Sequence, residues 1–82
     1  MKTTFSKRAA KVLEALDKTT QMRIIAGIKW IPKGDIKPLQ GYSDGRMRLR
    51  IGKYRIVFNY MVENDEDVLY IMDVGSRGDI YK

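Results

Sequence analysis

Apolar residues in the first third of the chain recur at the three- and four-residue spacing of an amphipathic helix. The first apolar stripe consists of Ala9, Val12, Leu13 and Leu16. Ser6 precedes this stripe and is a candidate N-cap. A second stripe runs from Gln21 toward Trp30, and either Thr19 or Thr20 would cap it. The pattern predicts two helices that form an antiparallel pair.

Further along the chain, the apolar positions change to the alternation that is typical of strands. Three runs follow this pattern: Arg46 to Ile51, Tyr54 to Glu63, and Val68 to Val74. Gly52-Lys53 and residues 64–67 separate the runs as hairpin turns. Both prolines lie within residues 31–45, which we therefore interpret as a connector. At the N-terminus, Lys2 to Phe5 has the composition of an edge strand.

Together these elements predict one α+β domain over residues 1–82, in the order β-α-α-β-β-β. It comprises an N-terminal strand, an antiparallel helical hairpin and a three-stranded antiparallel meander, with the helices on one sheet face. No apolar run reaches the roughly 18 residues needed to span a bilayer, and the N-terminus lacks a signal-peptide core. We therefore expect a cytoplasmic protein with no membrane partner.

Composition narrows the chemistry that is available to this domain. The chain contains no cysteine and no histidine, which excludes disulfides, thiolate metal sites and the usual acid–base side chain. Asp65, Glu66 and Asp67 lie between two predicted strands and are more typical of a solvated turn than of a metal site. We expect no metal and no cofactor.

Positive charge is concentrated in the middle of the chain. The net charge is +6, and residues 41–62 carry five Lys or Arg against one acid. Arg46, Arg48 and Arg50 alternate with apolar residues, so a strand would place all three guanidiniums on one face. Guanidiniums bind phosphate oxygens through a planar fork of donors, which favours a polyanion site. The alternative is a solvated sheet face that resists edge pairing.

Three further residues extend this candidate site. Arg55 follows on the next strand, although the mixed polarity of Tyr54 to Met61 allows either side of that strand to be the core. Arg77 lies between two glycines near the C-terminus, and Tyr81 is penultimate. Neighbouring arginines favour the phenolate, which makes Tyr81 a candidate general base. The alternative for Tyr81 is a terminal aromatic that packs its ring.

Two other aromatic residues are candidate platforms on which bases could stack. Trp30 and Tyr42 have the ring systems for this role. A single aromatic residue at the end of a helix, however, is more typical of a core cap.

Two stretches resemble the RelE/ParE superfamily of small bacterial toxins from type II toxin-antitoxin pairs. The first is an L-x-G and R-x-R-x-G-x-Y-R pattern from Leu39 to Arg55, and the second is the closing R-x-x-x-Y from Arg77 to Tyr81. The resemblance covers nearly the whole chain. It implies the same order of strand, helical hairpin and antiparallel sheet.

The RelE branch of this superfamily cleaves messenger RNA in the ribosomal A site without a metal ion. The resemblance therefore implies an endoribonuclease in which a ribose 2′-hydroxyl attacks the adjacent phosphate. The implied catalytic residues are Arg46, Arg48, Arg55, Arg77 and Tyr81. The implied RNA-binding residues are Arg46, Arg48, Arg50, Lys53 and Arg55. In the best-studied members, the residues that match Arg46 and Arg48 are lysines. The spacing from Arg77 to Tyr81 is also shorter here than the matching spacing in some members.

The resemblance also implies partners and leaves two alternative functions open. A cognate antitoxin would hold the toxin inactive, and the complex could bind operator DNA. The ParE branch shares the fold but inhibits DNA gyrase. A third alternative is a catalytically silent module that binds RNA by charge, with strong salt dependence.

Overall fold

The described part of the chain forms two helices and five strands that share one sheet. The structure is a computed structural model that describes residues 2–31, 33–39, 41 and 44–76. The elements are β1 (Lys2–Phe5), α1 (Lys7–Ala15), α2 (Lys18–Lys29), β2 (Asp35–Pro38), β3 (Met47–Ile51), β4 (Tyr54–Glu63) and β5 (Glu66–Ser76).

The sheet has the strand order β1-β5-β4-β3-β2. β1 lies at one edge and runs parallel to β5, whereas the other neighbours are antiparallel. Both the α+β class and the edge position of the first strand are therefore confirmed. The predicted meander is present as β3, β4 and β5.

The segment predicted as a connector contains a strand, so that part of the interpretation is wrong. β2 pairs with β3 from Asp35 opposite Arg50 to Pro38 opposite Met47. Its four residues are too few for a visible alternation, and Pro38 suggested a loop. A proline is tolerated here because β2 is the outermost strand of the sheet that the described residues form, and an edge strand pairs along one side only.

The last hairpin also differs from the prediction. β5 begins at Glu66, because the turn is only Asn64-Asp65, with φ of 52° and 62°. Two consecutive positive φ angles match the twist of a tight hairpin, and Asn and Asp tolerate them better than most residues. Four acidic side chains, those of Glu63, Asp65, Glu66 and Asp67, are exposed around this turn.

The N-cap of α1 is as predicted, and that of α2 is not. The Ser6 hydroxyl accepts a hydrogen bond from the Ala9 amide at 3.0 Å. α2 begins at Lys18 because Asp17 is its N-cap: one carboxylate oxygen accepts from the Thr20 amide at 3.2 Å, the other from the Thr20 hydroxyl at 2.6 Å. These bonds lower the pKa of Asp17, the hydroxyl bond contributing most.

The core lies between the helices and one face of the sheet. Its buried members from the sheet are Leu49, Ile56, Phe58, Leu69, Ile71 and Val74, and those from the helices and their ends are Ala9, Ile24, Ile28 and Ile31. α2 approaches β3 closely at Gly27, where a Cβ would collide with the Ile51 side chain. This packing leaves the other face of β3 and β4 for the candidate site.

Candidate nucleic-acid interface

The sheet face opposite the core carries three of the predicted arginines. Leu49 and Ile56 are buried in the core, so their chain neighbours point to the other face. Arg48 and Arg50 therefore share this face with Arg55, and Arg50 is the direct cross-strand partner of Arg55. The sequence left open which side of β4 faces the core, and the structure shows that it is the side of Ile56 and Phe58.

A concave depression lies where these arginines meet the β3–β4 turn. Arg50, Gly52, Lys53 and Arg55 line it, and its volume is about 260 Å³. Gly52 has φ of 58°, which is the conformation that a two-residue hairpin turn of type II′ requires at its first central position. The Lys53 ammonium lies 5.5 Å from the centroid of the Tyr54 ring. Three cations thus surround one small cavity.

A carboxylate on β2 partly neutralises this surface. One oxygen of Asp35 accepts a hydrogen bond from Nε of Arg50 at 2.9 Å, and the other lies 3.7 Å from Nη1 of Arg48. Arg48 is only 9% exposed, and its Nη1 also lies 3.5 Å from the Asp35 carbonyl oxygen. Arg48 therefore anchors β2 to β3, and the alternative of a solvated sheet face is wrong for this residue.

Asp35 was missed because sequence reasoning placed it in a connector. Its position opposite Arg50 follows from the pairing of β2 with β3. The only signal in the sequence is the short alternation of polar and apolar residues from Asp35 to Pro38, which is too brief to identify a strand.

Arg46 lies just before β3 and differs from the other arginines in its surroundings. Its Nε donates to a carboxylate oxygen of Asp44 at 2.8 Å. This bond, more than any other contact, lowers the pKa of Asp44 below its usual value. The Arg46 side chain is 30% exposed, so it remains within reach of a ligand in competition with Asp44.

The other residues predicted to bind RNA or to act in catalysis are either outside the described residues or differ from the prediction. Arg77, Tyr81 and Tyr42 lie outside the described residues. Trp30 is 62% exposed at the end of α2, so the interpretation as a core cap is wrong.

Among the described residues, no three carboxylate, imidazole or thiol side chains converge on a point where a metal could bind. No helix of this part of the chain is long and apolar enough to span a bilayer.

Comparison with known proteins identifies relatives that match nearly the full length of this chain. A family model described as the ParE toxin of type II toxin-antitoxin systems, parDE, matches residues 4–81. No curated protein matches the chain.

Several solved structures share the fold. The RelB-RelE antitoxin-toxin complex from Methanococcus jannaschii matches with 28% identity and a TM-score of 0.69, over 94% of this chain and 93% of that one. The RelE-RelB complex from Pyrococcus horikoshii OT3 matches with 25% identity and a TM-score of 0.69, over 95% and 96% of the two chains. A toxin from Agrobacterium tumefaciens described as YoeB/ParE, at 20% identity, shows the fold alone, with a TM-score of 0.73 over 94% and 99%.

Proposed function

The chain belongs to the ParE toxin family within the RelE/ParE superfamily, and on that premise we propose that it is an endoribonuclease that cleaves mRNA in the ribosomal A site. Its role as the toxin of a type II toxin-antitoxin pair follows from the family. The proposal of nuclease activity is supported by two relatives at 25% identity or more that are described as RelE proteins.

The observation that carries this proposal is the depression lined by Arg50, Lys53 and Arg55. Arg50 and Arg55 are direct cross-strand partners, and two like charges in that relation destabilise a sheet. A structural role would favour a neutral or opposite-charge pair. A phosphate bound between them would remove the repulsion and use both guanidiniums as donors.

The chemistry proposed for this site needs positive charge around one phosphate. The ribose 2′-oxygen attacks the adjacent phosphorus, the bond to the 5′-oxygen breaks, and the products are a cyclic phosphate and a 5′-hydroxyl. Arg55, together with Arg50 and Lys53, would stabilise the added negative charge, which is usually the largest contribution to catalysis. Arg48 would act by holding β2 and Asp35 in place.

Three residues keep the roles that the resemblance implies. Tyr81 would take the 2′-proton, Arg77 would hold the phosphate, and Arg46 would contact the RNA backbone after exchanging Asp44 for a phosphate. Arginine is a poor proton donor, so the proton on the leaving oxygen would come from another group or from water.

The proposal extends to partners and location. The solved relatives from Methanococcus jannaschii and Pyrococcus horikoshii OT3 are toxin-antitoxin complexes, and a cognate antitoxin is accordingly expected for this chain. We further propose mRNA and the ribosomal A site as targets, operator DNA as a ligand of the antitoxin complex, and the cytoplasm as the place of action.

A second candidate function is inhibition of DNA gyrase. It is favoured by the description of the matching family as ParE toxins. It is also consistent with the burial of Arg48, since two of the arginines assigned to catalysis by resemblance have carboxylate partners. A catalytically silent RNA-binding module is the third.

The test is induction of the chain in growing bacteria, followed by primer extension on abundant transcripts. We expect cuts confined to translated regions, and a decrease of roughly 10²- to 10³-fold in cleavage for Arg55→Gln, as well as loss in Tyr81→Phe. Lys29→Gln, which removes the same charge from an exposed position on α2, is the matched control and should cleave normally. Growth arrest with intact transcripts and inhibited supercoiling by purified gyrase would replace the nuclease proposal by the second candidate.

A further inference from the structure

Positive charge continues from the depression to the helix side of the sheet. Arg23, on α2, lies against the β3–β4 turn from the helix side of the sheet. A Cβ placed at Gly52 would be 3.2 Å from Nη2, 3.8 Å from Cζ and 3.9 Å from Nη1 of Arg23. Because Gly52 also lines the depression, this glycine is the point where the guanidinium of the helix meets the cations of the sheet.

The electrostatics of this junction favour an anion. Among the residues that the structure describes, Arg23 and Lys53 have no carboxylate at salt-bridge distance. Both side chains are exposed, and α2 contains no acidic residue along its length. Because Arg23 is exposed, its charge is available to a ligand.

We propose that Arg23 is a second phosphate-binding residue, and that a nucleic-acid backbone passes from the depression across Gly52 to the helix side of the sheet. This inference rests on the proposed function for the identity of the ligand, a single-stranded RNA. The absent side chain at Gly52 lets the Arg23 guanidinium approach the turn closely, so one phosphodiester chain can reach both sides of the turn. Arg50 and Lys53 then hold one phosphate and Arg23 holds the next. Arg23 does not take part in bond cleavage.

The test measures RNA binding by the purified full-length chain. The probe is a fluorescent single-stranded RNA of roughly 12 nucleotides, with 2′-O-methyl riboses so that it cannot be cleaved, and binding is followed by anisotropy over a range of salt concentrations. Each phosphate contact contributes about 0.7 to the slope of log affinity against log salt for a single strand. We expect Arg23→Gln to reduce the slope by about 0.7 and to weaken binding about fivefold at roughly 0.1 M salt.

Two matched variants make the result specific. Lys29→Gln removes one charge from the same helix, but Lys29 lies near Thr3 of β1 and Leu69 of β5, away from the turn. It should leave the slope unchanged. Arg23→Lys keeps the charge and should preserve most of the slope, and thermal melting of all three variants verifies that the fold is intact.

The outcomes separate this inference from the function on which it rests. Equal slopes for Arg23→Gln and Lys29→Gln, with a reduced slope for Arg55→Gln, would overturn the role of Arg23 and leave the nuclease proposal standing. A reduced slope for Arg23→Gln without transcript cleavage in cells would support the phosphate site and remove the nuclease. A wild-type chain that does not bind the probe would overturn the inference.

Discussion

Arg50 and Arg55 face each other as direct cross-strand partners on β3 and β4, on the sheet face turned away from the core. Two guanidiniums in this relation repel, and the carboxylate of Asp35, 2.9 Å from Nε of Arg50, offsets part of the charge. On the proposed function, we expect this pair to lower the stability of the free protein and to be stabilised when an anion binds between the two side chains.

A double-mutant cycle would measure this repulsion. We expect Arg50→Gln and Arg55→Gln to show an unfavourable coupling of about 0.2–1 kcal/mol in urea unfolding at low salt, the usual range for such pairs. The coupling should decrease as salt is raised, because exposed charges are screened. A coupling that is favourable, or unchanged by salt, would show that the two side chains do not repel in the folded protein.

The substitution Asp35→Asn should weaken the fold and strengthen RNA binding. It removes the carboxylate beside the nearly buried Arg48, at an expected cost of about 1–3 kcal/mol for a partly unsatisfied charged group, measured by urea unfolding. It also releases Arg50 toward the depression, so the affinity for the uncleavable RNA should rise.

Asp44→Asn is the matched control for this change. It removes the carboxylate beside Arg46, outside β3 and away from the depression, so the unfolding midpoint should hardly move. Equal destabilisation by the two substitutions would contradict the anchoring role of Asp35 and Arg48.

Ser6→Ala should destabilise the junction between β1 and α1. The hydroxyl accepts from the Ala9 amide at 3.0 Å and donates to the Met72 carbonyl oxygen of β5 at 2.7 Å. Loss of a cap and of a half-buried hydrogen bond should lower the free energy of unfolding by about 1–2 kcal/mol. Ser6→Thr keeps both functions and should restore most of the stability; an equally unstable threonine variant would argue against the cap.

The carboxyl group of Asp17 should make the fold sensitive to acid. Hydrogen bonds from the Thr20 hydroxyl and amide hold its pKa below the usual value of 3.8, so the group is depressed in the folded state relative to the unfolded chain. Its contribution is then fully present above about pH 4 and is lost as the pH falls through the lowered pKa.

We expect the advantage in melting temperature of the wild type over Asp17→Asn to shrink through this pH range, since asparagine caps the helix without titrating. In Thr20→Val, an NMR titration should show the pKa of Asp17 moving up toward its usual value. A pKa that does not respond to this change would contradict the assigned cause.

Much of the secondary structure depends on residues that are close in sequence, and it could therefore be predicted from the sequence. Ser6 and the stripe from Ala9 to Leu16 identified α1, because capping and helical periodicity involve residues three or four apart. The range Tyr54–Glu63 was predicted with the same bounds as β4, since its alternation is long and Gly52-Lys53 marks its start. The α2 cap was misplaced because Asp17 and the two threonines are all suitable caps.

The sequence by itself indicated the concentration of arginines in residues 46–55 and the likeness to a toxin family. It also favoured a polyanion as the ligand of those arginines. It did not indicate the partners of those arginines within the protein. Asp35 reaches Arg50 across 15 residues of chain, and Arg23 reaches Gly52 only because α2 packs on β3. Periodicity reports the face on which a side chain lies, but its charge partner depends on which strands and helices come together. The tertiary structure alone decided that Arg48 is a buried anchor while Arg50, Lys53 and Arg55 line one depression.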